Sequence, residues 1–448
     1  MGFIEIFGME INDLVLSSFV LGAIIIIIGF IINRRKTAEI KNDEHKKDDN
    51  INSSTEVPEQ NENSVAIKRG KNKKRREIQQ EFTHPWMVGA LKGHTGTVLD
   101  IKFSSDGKYL SSCAEDQTVH IWCTKDLASK NRKSLRINID WDHATHVKFS
   151  PDGKAFIIHK SFGNNIVVYG LKKKPNGFFI SATPVLEYQK KHDDDIIGMD
   201  IACNGRFIMT CGKSNDLIIW DLKGEVLAKI DTILGSTHRA KISPCGRFVA
   251  ASGFTPDVKV WQVGFSKTGD FKQVDKAFTL AGHSSGVYDF DFSADSSTMA
   301  TVSKDGTYRL YDTNVEYEKG QDPRFLVSGK WENSMPTKIA LSPNAEILVI
   351  SHGTNLSFYS TVNNKLDTTI EDIGVVNCLT FDATGEFLLA AVDKQIKIFR
   401  NIPAYRAAIE SSKLKLKQKQ SSATQERIEK IIIENTQFLK SMGEPLIR

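Results

Sequence analysis

Three histidines of this 448-residue chain stand at one fixed distance from an aromatic residue: His94 lies 28 residues before Trp122, His192 28 before Trp220 and His283 28 before Tyr311. A histidine with an aspartate in its own stretch, Asp116 in the first case and Asp305 in the third, is a pairing that general acid–base catalysis uses. Recurrence argues against that chemistry. An active site is assembled once, whereas a polar set repeated at fixed spacing satisfies buried hydrogen-bonding groups in each copy. No nucleophile elbow, phosphate-binding glycine loop, dinucleotide fingerprint or metal-spaced His/Glu set accompanies them, so no catalytic residue, cofactor or metal is expected. Cys113, Cys123, Cys203, Cys211, Cys245 and Cys378 are scattered without a CxxC, as free thiols of a reducing compartment are.

A second group able to do chemistry is Lys68, Arg69, Lys71, Lys73, Lys74, Arg75 and Arg76, seven bases in nine residues. Such a run binds anionic lipid headgroups or RNA phosphates by releasing counterions, or is simply a solvated charge run. It closes a polar tether, residues 33–84, whose stretch 37–67 has too few apolar side chains to offset chain entropy. Ahead of the tether, Leu14 to Ile32 runs 19 residues without a charge, about 28 Å of helix and enough to cross a hydrocarbon core. Glu5, Glu10 and Asp13 precede it, and Arg34, Arg35 and Lys36 follow. That order opposes a cleaved signal peptide and sets residues 1–13 in the lumen, 14–32 as a single-pass signal anchor and the remainder in the cytosol.

The net charge of +5 belongs to these appendages and to the tail, because residues 85–400 carry only one excess base. Hydrophobic residues at 40% and charged residues at 25% match a globular chain and exclude wholesale disorder.

The elements that must position the histidines come as repeats. Phe103 to Gly107, Phe149 to Gly153, Ile201 to Gly205, Ile242 to Gly246, Phe292 to Ser296, Leu341 to Ala345 and Phe381 to Gly385 are seven variants of one strand-end turn, spaced by 46, 52, 41, 50, 49 and 40 residues. Alternating apolar residues flank each turn, and about 18 residues past its start an aromatic ends a β-branched run: Trp122, Tyr169, Trp220, Trp261, Tyr311, Tyr359 and Phe399. A 40–50-residue period of strands marks a propeller. The loop Phe254-Thr-Pro-Asp257 reads as a Pro turn between strands. Trp86 to Leu91 is placed to supply the outer strand that the last repeat lacks. After Pro403 the period becomes helical, with Lys413, Lys415, Lys417 and Lys419 closing a first helix and Ile428, Ile431, Ile432, Phe438, Leu439 and Met442 striping a second.

Residues 85–400 resemble the WD-repeat β-propeller. The fold expected is all-β, a seven-bladed WD40 propeller with an N-terminal transmembrane helix and a C-terminal αα-hairpin over 401–448. In that family a His, a strand Ser or Thr, a hairpin Asp and the aromatic form one buried hydrogen-bonded network. The matching positions here are His94, Ser112, Asp116 and Trp122, then His283, Thr301, Asp305 and Tyr311. Repeat three has Ser214 where the Asp belongs, and repeats four, six and seven lack Gly-His, so those blades are expected to be less rigidly specified.

The stretches 142–153, 243–261, 302–306 and 312–323, with the anchor and basic segment upstream, resemble a family of membrane-anchored WD-repeat proteins of the endoplasmic reticulum. That resemblance implies a cytosolic-face scaffold in the unfolded protein response, with the PKR-like stress kinase and the ribosome or messenger RNA as partners. An RNA- or ribosome-binding adaptor acting through residues 68–76 is the alternative. A third reading is a small-GTPase exchange factor, since another reticulum-anchored propeller family has that activity, although its anchor follows the propeller.

Overall fold

The computed structural model describes residues 82–127, 132–175, 177, 179–332, 334–419 and 421–445. The expected anchor, residues 14–32, and the basic run 68–76 lie outside the described residues. Among the described residues, no helix is long and apolar enough to cross a membrane.

Among the described residues, twenty-eight strands form seven four-stranded antiparallel sheets. Their innermost strands are Val98–Phe103, Ala144–Phe149, Ile196–Ile201, Thr237–Ile242, Val287–Phe292, Thr337–Leu341 and Val376–Phe381, which begin blades 1 to 7. Each blade is covered by its neighbours on both faces, so its middle strands are apolar almost throughout. Phe387–Val392 in blade 7 and Ile347–His352 in blade 6 bury nearly every side chain. The seven aromatics that end the third strands are all buried. The seven turns repeat one backbone state, with positive φ at Gly107, Gly153, Gly205, Gly246 and Gly385 and also at Ser296 and Ala345. The two non-glycine residues hold it at about 1 kcal/mol each.

The ring closes as its termini require. Met87–Lys92 pairs antiparallel with Gln395–Arg400, setting Leu91 opposite Ile396 and Ala90 opposite Lys397. Trp86, 2% exposed, meets Phe358 edge-on at 5.6 Å, and its carbonyl accepts from the Arg400 N–H at 2.8 Å. Burying Trp86 and Leu91 stabilises closure by about 1.5–3 kcal/mol each.

The tail holds the same seam. Helix Ile402–Leu416 buries Ile402, Ala407 and Ile409 in a core shared with Leu356, Phe358 and Phe399. Its Arg406 donates to Asp367 Oδ2 at 2.6 Å, Glu444 Oε2 at 2.6 Å and the Pro445 carbonyl at 2.9 Å, while Trp86 Nε1 donates to Glu444 Oε1 at 2.7 Å. The expected stripe of helix Ser422–Ser441 and its cap divides. Ile428 and Leu439 are buried and Phe438 stacks on Tyr405, but Ile431 and Met442 are exposed. Three residues of helix turn Ile431 about 60° from Ile428, and Met442 sits at the C-cap.

Candidate functional site

Antiparallel alternation places each blade's second-to-third-strand turn and the loop leading to the next blade's inner strand on one face. The three histidines stand in those leading loops, and Asp116 and Asp305 stand in the turns. In blade 1, Trp122 Nε1 donates to Ser112 Oγ at 2.9 Å, and Ser112 Oγ lies 2.8 Å from His94 Nε2. His94 Nδ1 faces Asp116 Oδ1 and Oδ2 at 3.2 Å. A neutral imidazole meets this set by donating from Nδ1 and accepting the Ser112 hydroxyl at Nε2. Burial pushes His94 below its ordinary value against the pull of Asp116. Burial also works to raise Asp116, but the Thr118 hydroxyl, the Thr95 N–H and His94 hold it at about 2.

Blade 5 repeats three of the four positions. His283 Nδ1 is 3.0 Å from Asp305 Oδ2 and its Nε2 is 2.8 Å from Thr301 Oγ1, while the Ser284 N–H donates to Asp305 at 3.0 Å. Tyr311 does not join them. Its hydroxyl donates to the Ala281 carbonyl at 2.8 Å, because a phenol carries its polar atom at the ring's far tip rather than on its flank as an indole does. Blade 3, which the expected set omitted, builds the core of the same network: His192 Nε2 lies 2.7 Å from Thr210 Oγ1, and Trp220 Nε1 donates to that oxygen at 2.8 Å. The exposed Ser214 leaves His192 Nδ1 buried and unpartnered, and burial pushes His192 down to about 4. These sets join loop to turn and offer no group to a substrate.

The same face carries what the sequence reading passed over. Trp141 is 94% exposed, Phe162 77%, Phe254 71%, Ile233 68% and Met335 56%, and all five lie in its loops and turns. They belong to blades 2, 4 and 6 or the loops leading into them. Trp141 and Ile233 hold positive φ, +60° and +50°, the latter at a β-branched residue where this conformation is strained. Asp372 stands at the matching place before blade 7, four residues ahead of the inner strand, and takes the same state with the short polar side chain suited to it. Phe254, expected within a mere Pro turn, points into solvent. The opposite face, made of the seven polar turns and the third-to-fourth-strand connections, exposes Leu222 among large apolar residues. It also holds an apolar recess of about 430 Å³ between blades 2 and 3, beside Pro151, Ile157, Tyr188 and Ile208.

The inner strands line a charged channel. Lys148 Nζ donates to Asp100 at 2.5 Å, Lys241 Nζ to Asp291 at 2.9 Å, and Arg239 Nε lies 3.3 Å from Asp289. Burial works to raise Asp100, but Lys148 and the Val147 N–H hold it at about 2. The signal was present in sequence as charged residues one and three positions before the apolar residue that ends the inner strand, Asp100 and Lys102, Arg239 and Lys241, and Asp289 and Asp291, with single charges at Lys148, Asp200 and Lys338. Among the described residues, no cluster of three or more His, Cys, Asp or Glu side chains is placed to hold a metal.

Seven four-stranded blades, a seam closed by both termini and recurring His–Ser/Thr–Trp sets define a WD-repeat β-propeller. The WD domain, G-beta repeat family model matches residues 86–123, 182–221, 275–312 and 366–400, which are blades 1, 3, 5 and 7 with the strand preceding each. The chain is 44% identical to transducin beta-like protein 2 of Mus musculus over 376 residues, covering 83% of this chain and 85% of that protein. It is 42% identical to the Homo sapiens protein of that name over 377 residues, covering 83% and 84%. The guanine nucleotide-binding protein subunit beta of Arabidopsis thaliana is more distant, 23% identical over 333 residues, 69% of this chain and 82% of that one. The chain belongs to the transducin beta-like protein 2 family.

Proposed function

We propose that the protein is a non-catalytic scaffold, anchored in the endoplasmic-reticulum membrane by residues 14–32 with its propeller in the cytosol, that recruits protein partners through the face bearing Trp141, Phe162, Ile233, Phe254 and Met335. The observation that carries this is the placement of those five side chains. Exposed apolar groups gathered on one rigid face are the ordinary mark of a protein contact, and tethering raises the effective concentration of partners on the same membrane. The resemblance to membrane-anchored relatives points to the unfolded protein response and the PKR-like kinase. Proximity labelling from the full-length chain tests it: Phe162→Ser with Phe254→Ser is expected to lose protein neighbours, the kinase among them, and an unchanged neighbour set overturns the reading.

A second reading, an RNA- or ribosome-binding adaptor, draws on the basic run 68–76 and on Lys413, Lys415, Lys417 and Lys419, all exposed on the tail. Neutralising residues 68–76 to Gln is expected to remove ribosomal and RNA-binding neighbours alone, and binding of the wild type to fall steeply with salt.

A further inference from the structure

On the face opposite the histidine loops, one backbone bond marks equivalent positions in all seven blades: the residue that opens the turn donates its N–H to the carbonyl of the residue that enters the second strand. In blades 1, 3, 4 and 7 that residue is aromatic, Tyr109, Phe207, Phe248 and Phe387, and in blade 6 it is Ile347. Each packs into or against the core its blade shares with the next one. A base covers the ring: Lys173 Nζ lies 4.9 Å from the centre of Tyr109, and the guanidinium carbons of Arg247 and Arg400 lie 5.2 Å from Phe248 and 5.5 Å from Phe387. Phe207 stacks on Phe265, which Arg206 covers at 5.5 Å. In blade 5 the position is Thr298, opposite Asp312, whose carboxylate pairs with Arg324.

Blade 2 breaks the series. Its position holds Ala155 and the residue opposite is Gly170, so neither strand contributes more than a methyl group. The space left is the recess of about 430 Å³, walled by Pro151, Ile157, Tyr188, Ile208 and Leu222, the last 51% exposed. The base that precedes the ring in blades 1, 3 and 4, Lys108, Arg206 and Arg247, is kept here as Lys154, whose side chain is 83% exposed. The recess has the place, the apolar walls and the base of a filled interface, and it lacks the ring.

Its volume lies in the range that accepts a small organic group, about 300–1,000 Å³, and an aromatic side chain seated there withdraws about 150–250 Å² from water. The surroundings fit a polypeptide as its source. Tyr188 also lines a polar hollow of about 590 Å³ between the same two blades, with Glu187, Lys191, Lys223 and Glu225. Leu222 and Lys223, consecutive in the chain, line one space each. A segment with an aromatic residue beside polar ones fills both, whereas a lone aromatic molecule leaves the hollow empty.

We propose that the recess between blades 2 and 3 is a second docking site, which takes one Phe, Tyr or Trp side chain of a partner polypeptide beneath Lys154 and so completes this interface as Phe248 and Phe387 complete theirs. It lies on the face opposite Trp141, Phe162, Ile233, Phe254 and Met335 and does not rest on the reading of that face.

The test pans a random ten-residue peptide library on the full-length protein in detergent micelles and subtracts every peptide that also binds Ala155→Phe, which fills the recess as the other blades fill theirs. The remaining peptides are expected to share one aromatic residue. Their affinity is expected to fall tenfold or more when that residue becomes Ala or when Leu222 becomes Asp, to fall about two- to fivefold with Lys154→Gln, and to stay unchanged with Phe162→Ser and Phe254→Ser. A pool left empty by the subtraction overturns the proposal. So do remaining peptides that tolerate Ala at the aromatic position, that ignore both Leu222→Asp and Lys154→Gln, or that are lost with Phe162→Ser and Phe254→Ser. Leu222→Asp, on an exposed connection, replaces Ala155→Phe in the subtraction if the latter melts below the wild type.

Discussion

Blades 1, 3 and 5 build the same four-stranded sheet as blades 2, 4 and 6 but use their loops on the channel-mouth face differently. In the first set a histidine from the leading loop reaches a Ser or Thr on the second strand, and in blades 1 and 5 also an Asp in the turn. In the second set Trp141, Phe162, Ile233, Phe254 and Met335 stand in the corresponding loops and turns with their side chains in water. The division agrees with the family model, which matches blades 1, 3, 5 and 7. Polar networks over-determine the loops they tie, so residues there serve the fold. Blade 2 ties its turn by other means, Asp142 accepting from the Phe162 and Gly163 N–H groups, and still presents the Phe162 ring to solvent. Blade 7 is the exception: it has no such histidine, its leading loop exposes Val375, and strand Met87–Lys92 and the Arg406–Glu444 contact hold it from outside.

The largest effect is expected at that exception. Arg406→Ala leaves Asp367 and Glu444 short of a buried partner and is expected to destabilise the protein by about 3–5 kcal/mol, read by denaturant midpoint on residues 82–448. A smaller loss sinks the claim that the tail substitutes for a network.

Within the networked set, Asp116→Ala strips acceptors from His94, the Thr95 N–H and Thr118, and a loss of about 2–3 kcal/mol is expected. If Asp116→Ala behaves as a surface substitution, the contrast between the two sets of blades fails.

Blade 3 offers a sharper probe through pH. His192 titrates in the fold at about 4, below about 6.5 in the unfolded chain. Between those values the unfolded chain binds the extra proton, so stability falls as pH drops through the window, by at most about 3 kcal/mol from this residue. Asp116 and Asp305, depressed to about 2, act in the lower window: their contribution is complete above the unfolded carboxylate value and is lost as pH falls towards 2. Ser214→Asp supplies the acceptor that His192 Nδ1 lacks. It is expected to add about 1 kcal/mol at pH 7 and to flatten the slope between pH 6.5 and 4 in urea melts. An unchanged slope shows that His192 is not the titrating group.

The smallest effect is the most telling for function. Phe254→Ser and Phe162→Ser are expected to change stability by less than about 0.5 kcal/mol. A large loss on thermal melting means these side chains serve the fold, and the docking face then loses its main support.

Much of the ring was legible because its signals are local. The seven turns each hold a positive φ one to three residues after a Ser, Asp or Asn, and each third strand ends in a buried aromatic, so spacing alone counted seven blades. His94, Ser112, Asp116 and Trp122 were readable for the same reason. Tyr311 was misread because spacing reports where a ring sits and not where its polar atom points. His192 and Thr210 were passed over because their set lacks the Asp that completes the pattern, although the 28-residue interval to Trp220 was already counted.

By itself, the sequence determined the blade count, the closing strand, the helical tail and the location of excess charge outside the ring, since each follows from period, length or composition along one stretch of chain. Only the tertiary structure decided that Trp141, Phe162, Ile233, Phe254 and Met335 share one face. Those residues run from position 141 to position 335, and exposure is a property of what surrounds a side chain once the ring has closed.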